Sequence, residues 1–146
     1  MRLTTYTDYS LRVLIYLTVH DHKSLAKIQD IADAYQISKN HLMKVVYEMG
    51  KRGYLENIRG RNGGLKLAVD PETVNIGTVV REMEEDFHLV ECFDCQNNGC
   101  IITPACRLKG VLKEALDAYL NVLDQYTLSE LVTNRNELRT LLQQNV

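Results

Sequence analysis

Cys92, Cys95, Cys100 and Cys106 are the only cysteines in the 146-residue chain, and all lie in the stretch ECFDCQNNGCIITPACRLKG. Their spacing is Cys-x2-Cys-x4-Cys-x5-Cys, interrupted by Asn97, Asn98, Gly99 and Pro104, so the stretch reads as a loop. Thiols gathered this way in a chain with no secretion signal are metal ligands or redox groups more often than disulfides. Four thiolates would close a tetrahedral zinc site. Three thiolates and one further ligand would hold an iron–sulfur cluster. Zinc sites favour tight Cys-x2-Cys pairs, and only Cys92 and Cys95 make one. The longer gaps suit a loop wrapped around a larger object. The spacing leans towards a cluster, leaves zinc open, and leaves free thiols as a third reading.

A second group of residues suits phosphate and base edges. The net charge of −2 conceals an asymmetry: residues 1–70 carry 11 Lys/Arg against 7 Asp/Glu, and residues 71–146 carry 6 against 12. Seven of the basic residues fall between Lys39 and Lys66, opposed only by Glu48 and Glu56. Such a concentration is either a solvated face or a footprint for a nucleic-acid backbone. Within it stand Ser38, Lys39, Asn40, His41 and Lys44, then Arg59, Arg61, Asn62 and Gly63. Asn can read adenine at two points, and Lys reaches guanine or phosphate. Arginines on a glycine-rich loop can enter a minor groove.

These groups need elements to position them. Apolar periodicity predicts a helix over 7–20, capped by Thr5 or Thr7, with Asp8 in its first turn favourable to the dipole. A second helix is expected over 25–35. A third, over 39–52, has Ser38 as its N-cap, Leu42, Val45, Val46 and Met49 as its buried face and Gly53 as its C′ residue. Alternating segments at 55–58 and 65–69 predict a β-hairpin closed by a type I′ turn at Asn62-Gly63. A short helix follows over 76–84. From 107 to about 126, Leu108, Val111, Leu112, Ala115, Leu116, Tyr119, Val122, Leu123 and Tyr126 repeat at helical spacing. That stripe is wider than one small domain covers, so the long helix is expected to pair with its twin. Residues 127–142 hold one or two shorter helices.

Two short helices around a tight turn, followed by a basic hairpin, is the order of a winged helix-turn-helix. The fold class is therefore mainly α with a small β-hairpin wing, joined to a long dimerisation helix. The expected division is a winged helix-turn-helix DNA-binding domain over 1–75, a linker helix and cysteine loop over 76–107, and dimerisation and C-terminal helices over 108–146. No apolar run approaches the roughly 18 to 20 residues of a membrane helix, and the N-terminus lacks a signal-peptide pattern, so a cytoplasmic protein is expected. No nucleophile–base pairing or dinucleotide motif argues for an enzyme.

The segments LTTYTDYSLRVLIYL, SKNHLMKVV, RGRNGGLKL, CIITPACRLK and YTLSELV occur in this order and together resemble the NsrR repressors, nitric-oxide-sensing relatives of the iron–sulfur regulator IscR. The resemblance runs from the first residues to about Leu131. It implies a homodimeric winged-helix repressor on a pseudo-palindromic double-stranded operator, with nitric oxide as the signal. It also implies an iron–sulfur cluster, [4Fe–4S] favoured and [2Fe–2S] possible, bound by three cysteines per protomer. Cys100 and Cys106 match the family's Cys-x5-Cys. Cys92 stands where its first cysteine usually does, with Cys95 as the alternative. The resemblance suggests Asp8, reaching across from the partner protomer, as the oxygen ligand to the remaining iron. Alternatively Asp8 only stabilises the helix dipole. IscR-like proteins usually carry a His just after the last cysteine; here Arg107-Leu108-Lys109 follows. Two other readings stay open: an IscR-like regulator of cluster supply, and a winged-helix regulator with a structural zinc site.

Overall fold

The computed structural model describes residues 1–143; the last three residues of the expected C-terminal segment lie outside the described residues. Helix α1 (Thr5–Val19) starts earlier than its periodicity predicts, and its cap is Thr4 rather than Thr5 or Thr7. Thr4 Oγ1 accepts the Thr7 N–H at 3.3 Å, satisfying one orphan donor of the first turn. A distant residue favours Thr4 over both expected threonines. Glu84 Oε1 accepts the Thr4 N–H at 2.7 Å and its hydroxyl at 3.1 Å, holding Thr4 in the extended cap conformation.

Helix α2 (Ile28–Tyr35) starts later than expected, because Ala26 is used by the sheet instead. Ala26 and Leu65 exchange backbone hydrogen bonds of 2.9 and 2.7 Å, so the chain before α2 runs alongside the hairpin. Gln36 closes α2 in the left-handed region at φ 55 and turns the chain into α3 (Lys39–Lys51). Leu42, Val45, Val46 and Met49 are all buried, as the periodicity predicts. Gly53 follows the C-cap Arg52 at φ 84, a conformation that favours glycine.

Strands β1 (Leu55–Ile58) and β2 (Gly64–Leu67) pair antiparallel with Leu55 opposite Leu67 and Ile58 opposite Gly64. The type I′ turn expected at Asn62-Gly63 is not formed. The loop spans residues 59–63, and its positive φ falls on Gly60, at 110°. The reason is register. A two-residue turn at Asn62-Gly63 would shift the pairing by three residues and put Leu55 and Leu65 on opposite faces. The observed register puts both on the core side, where both are buried.

Helix α4 (Ile76–Met83) is capped by Asn75, whose Oδ1 accepts the Thr78 N–H at 3.0 Å. Helix α5 (Arg107–Leu123) ends before Tyr126, because the residues that would extend it are engaged by α4. The Arg81 guanidinium donates to both Asp124 carboxylate oxygens at 2.5 and 2.8 Å. Asn75 Nδ2 donates to the Asp124 carbonyl at 2.7 Å, and the Ile76 N–H to the Tyr126 carbonyl at 3.0 Å. Beyond α5 the chain turns back. Leu128, Val132 and Leu142 join Val13, Leu14, Leu17 and Val19 of α1 in the main core. Helix α6 (Arg135–Leu141) places Arg135 and Arg139 at the end of α1, where they donate to the His20 and Val19 carbonyls. A second, smaller core joins Val80 of α4 to Leu116 and Leu120 of α5. The described residues form no helix long and apolar enough to cross a membrane.

Candidate functional site

The buried stripe of α3 turns its other side to solvent. Ser38, Lys39, Asn40, His41 and Lys44 are all exposed. Ser38 occupies the N-cap position, but its side chain makes no capping hydrogen bond. Arg59, Arg61 and Asn62 are exposed on the hairpin loop. Gly63 is buried, and its carbonyl accepts from Lys27 Nζ. A Cβ at Gly63 would lie 2.0 Å from the Ile58 carbonyl oxygen, and one at Gly64 2.6 Å from that of Ala26. These two glycines let the loop fold back on the strands and on the segment before α2. Nothing in the local sequence marks Lys27. It is a brace between α2 and the loop, and only the tertiary approach reveals it.

His41 points towards α1, with its ring 6.4 Å from that of Tyr9. Behind Tyr9 lies a compact polar and aromatic group centred on Arg12. The guanidinium stands 5.8 Å from the Tyr9 ring centroid and 5.7 Å from that of Tyr35. It pairs with Asp8 at 2.8 Å, one helical turn back. The Tyr35 hydroxyl donates to the Arg12 carbonyl at 3.0 Å, and burial pushes its pKa up to about 12. Asp8, the suggested oxygen donor, is thus half-exposed and already paired within its own chain.

The cysteine loop runs over two 3-10 turns, Glu91–Phe93 and Thr103–Ala105, and is held by its own side chains. Glu91 Oε1 accepts the Gly99 N–H at 2.5 Å. Asn98 Oδ1 accepts the Cys100 N–H at 3.1 Å, and the Thr103 hydroxyl donates to the Cys100 carbonyl at 2.8 Å. Asp94 accepts from Asn97 Nδ2 at 2.8 Å and from the Gln96 N–H at 2.9 Å, which holds its carboxyl below the usual range. All four cysteines are free thiols; Cys92 and Cys106 are half-buried, Cys95 and Cys100 exposed. Cys106 is the N-cap of α5, at the end of a helix where negative charge is stabilised. Soft thiolate donors fit an iron–sulfur group or zinc chemically. Among the described residues, however, no three His, Cys, Asp or Glu side chains converge to hold a metal ion within one chain.

Helix α5 leaves that loop with two apolar faces. Leu116 and Leu120 are buried against α4, while Leu108, Val111 and Val122 stay exposed, as does Tyr126 just beyond the helix. Ile101 and Ile102, between Cys100 and the second 3-10 turn, are exposed as well. Met43 and Tyr47 lie on the open side of α3 and are exposed too. Their one mark in the sequence is that both fall outside the buried stripe of α3.

Residues 3–134 match the Rrf2 family model, described as iron-dependent transcriptional regulator. The HTH-type transcriptional regulator NsrR of Bacillus licheniformis is 60% identical over 142 residues, covering 97% of this chain and 99% of that protein. Its namesake in Bacillus subtilis is 58% identical, covering 97% of each. Among solved structures, T. potens IscR aligns with a TM-score of 0.74 at 20% identity, over 95% of this chain and 91% of that one. The oxidized form of Staphylococcus aureus CymR aligns with a TM-score of 0.72 at 24% identity, over 91% of this chain and 97% of that one. At those identities the two structures establish the fold, that of a mostly helical chain with a two-stranded wing. The matched relatives are regulators and not enzymes, and over almost its whole length the chain belongs to the Rrf2 family, within its NsrR group.

Proposed function

We propose that the chain is a cytoplasmic, homodimeric DNA-binding repressor whose operator affinity is set by an iron–sulfur cluster reactive towards nitric oxide. The observation that carries this reading is the position of the four free thiols. They lie on one loop that joins a winged helix-turn-helix to a helix with an uncovered apolar stripe. The near-full-length identity to NsrR proteins supports the same reading.

Each constellation then has a role. Residues 1–75 form the DNA-binding unit. Asn40, His41 and Lys44 face base edges, Ser38 and Lys39 meet phosphate at the start of α3, and Arg59, Arg61 and Asn62 act from the wing. Gly63 serves by letting the loop close. Residues 76–107 link this unit to the thiol loop, where Cys92, Cys100 and Cys106 are the protein's ligands and Cys95 is the alternative to Cys92. Residues 108–146 supply the dimer contact through α5. The bound cluster, [4Fe–4S] in the favoured form, would supply an iron open to nitric oxide. Releasing Asp8 from Arg12 would alter a group whose aromatic neighbour Tyr9 stands against His41 of α3. This contact gives loop occupancy a physical route to the DNA face. A few kcal/mol of coupling is enough to move a regulatory equilibrium between mostly bound and mostly free.

The test is iron, sulfide and zinc content with a visible spectrum on protein purified without oxygen, followed by operator affinity before and after nitric oxide at one salt concentration. Iron and sulfide with an absorbance bleached by nitric oxide, and an affinity that falls with it, are expected. Stoichiometric zinc, or equal affinities for loaded and stripped protein, would sink the cluster switch. Asp8→Ala tests the fourth ligand: an unaltered spectrum and nitric-oxide rate would remove that role.

A further inference from the structure

Most of the exposed side of α3 is polar or basic, and Met43 breaks that pattern. Its thioether chain is 52% exposed, one turn after Lys39 and beside Lys44. It lines the groove where α2, α3 and the wing meet, together with Lys27, Gln29, Lys39, Asn57 and Gly60. The side chains lining this groove include two lysines and no carboxylate. Such a lining suits negative charge beside an apolar group. Among major-groove base edges, only thymine offers an apolar group, its C5 methyl. Met is unbranched and polarisable, and it adapts its shape to such a contact.

Resting on the proposed DNA-binding reading, we infer that Met43 is a specificity-determining residue that reads a thymine methyl in each operator half-site. Asn40 lies at three residues' spacing on the same open side of α3, so the two would read neighbouring base pairs by different chemistry. Met43 makes no phosphate contact in this scheme. Its loss changes preference between sequences and leaves the salt dependence of binding alone.

The operator sequence need not be known in advance. The full chain, purified without oxygen, selects duplexes from a randomised pool. The best-bound duplex is then remade with each thymine replaced in turn by deoxyuridine, which lacks only the methyl. Burying one methyl against Met43 predicts a loss of about three- to fivefold in affinity at one thymine per half-site. Met43→Gln, equal in length and similar in helix propensity, should show no loss at that thymine. Met43→Leu should keep it. The salt slope on an unrelated duplex, unchanged in both variants, shows that they remain folded and bound to phosphate. A wild-type protein indifferent to every deoxyuridine overturns the inference, and so does a methyl effect that survives in Met43→Gln. If no duplex is selected at all, the DNA-binding reading fails with it. Selection without methyl sensitivity removes the Met43 role alone.

Discussion

At the residue scale, the sharpest requirement is Gly63. A Cβ there would stand 2.0 Å from the Ile58 carbonyl oxygen and 3.0 Å from that of Gly60, backbone atoms that cannot swing aside as a side chain does. Gly63→Ala is expected to destabilise the protein by about 1–3 kcal/mol through overpacking. Urea unfolding measures this, and an unchanged midpoint would mean that the loop accommodates the methyl without cost. Single thiols make a different prediction. Cys100→Ser and Cys106→Ser should lose most of the iron and sulfide per chain, whereas Cys95→Ser should retain it if Cys92 is the first ligand. On the proposed DNA face, Arg59→Ala and Arg61→Ala should each weaken binding and lower the salt slope by about 1. Asn40→Ala should instead relax the preference at one base pair.

At the element scale, the joint between α4 and α5 has a pH signature. The Arg81 guanidinium holds the Asp124 carboxyl below its ordinary value of 3.8, chiefly through the direct hydrogen bonds. A carboxylate whose folded pKa is depressed contributes stability above its unfolded value and loses it as the pH falls through the folded one. The difference in melting temperature between wild type and Asp124→Asn should therefore be full near neutrality and shrink progressively once the pH drops below 3.8. A difference independent of pH would mean that the pair contributes only by shape. Both partners are more than one-third exposed, so the effect should be modest and reduced by salt.

At the scale of the whole molecule, the exposed Leu108, Val111 and Val122 lie on a different side of α5 from buried Leu116 and Leu120. If two copies cover that stripe, Val111→Glu should give a monomer by sedimentation while the winged domain stays folded by circular dichroism. Operator affinity should fall with it, because two half-sites are no longer held by one particle. A dimer that persists in Val111→Glu would place the contact elsewhere.

Local pattern was enough for much of this. The buried stripe of α3 and the existence of the two strands arise from residues close in the chain, whereas α5 keeps its helical repeat but buries only Leu116 and Leu120. The thiol loop and the basic α3–wing segment are also contiguous, so their chemistry could be read without a fold. What the order of residues left undecided were choices made by partners far away. Local sequence offers Thr5 or Thr7 as the cap of α1, but Glu84, eighty residues on, holds Thr4 in that role. Asn62-Gly63 favours a tight turn, but burial of Leu55 and Leu65 on one face imposes a register that moves the positive φ to Gly60. Residues 127–142 follow α5 in sequence yet pack on α1, where Leu128 and Val132 join the main core. Local propensities differ by tenths of a kcal/mol to about one, and burying a single large apolar side chain outweighs them.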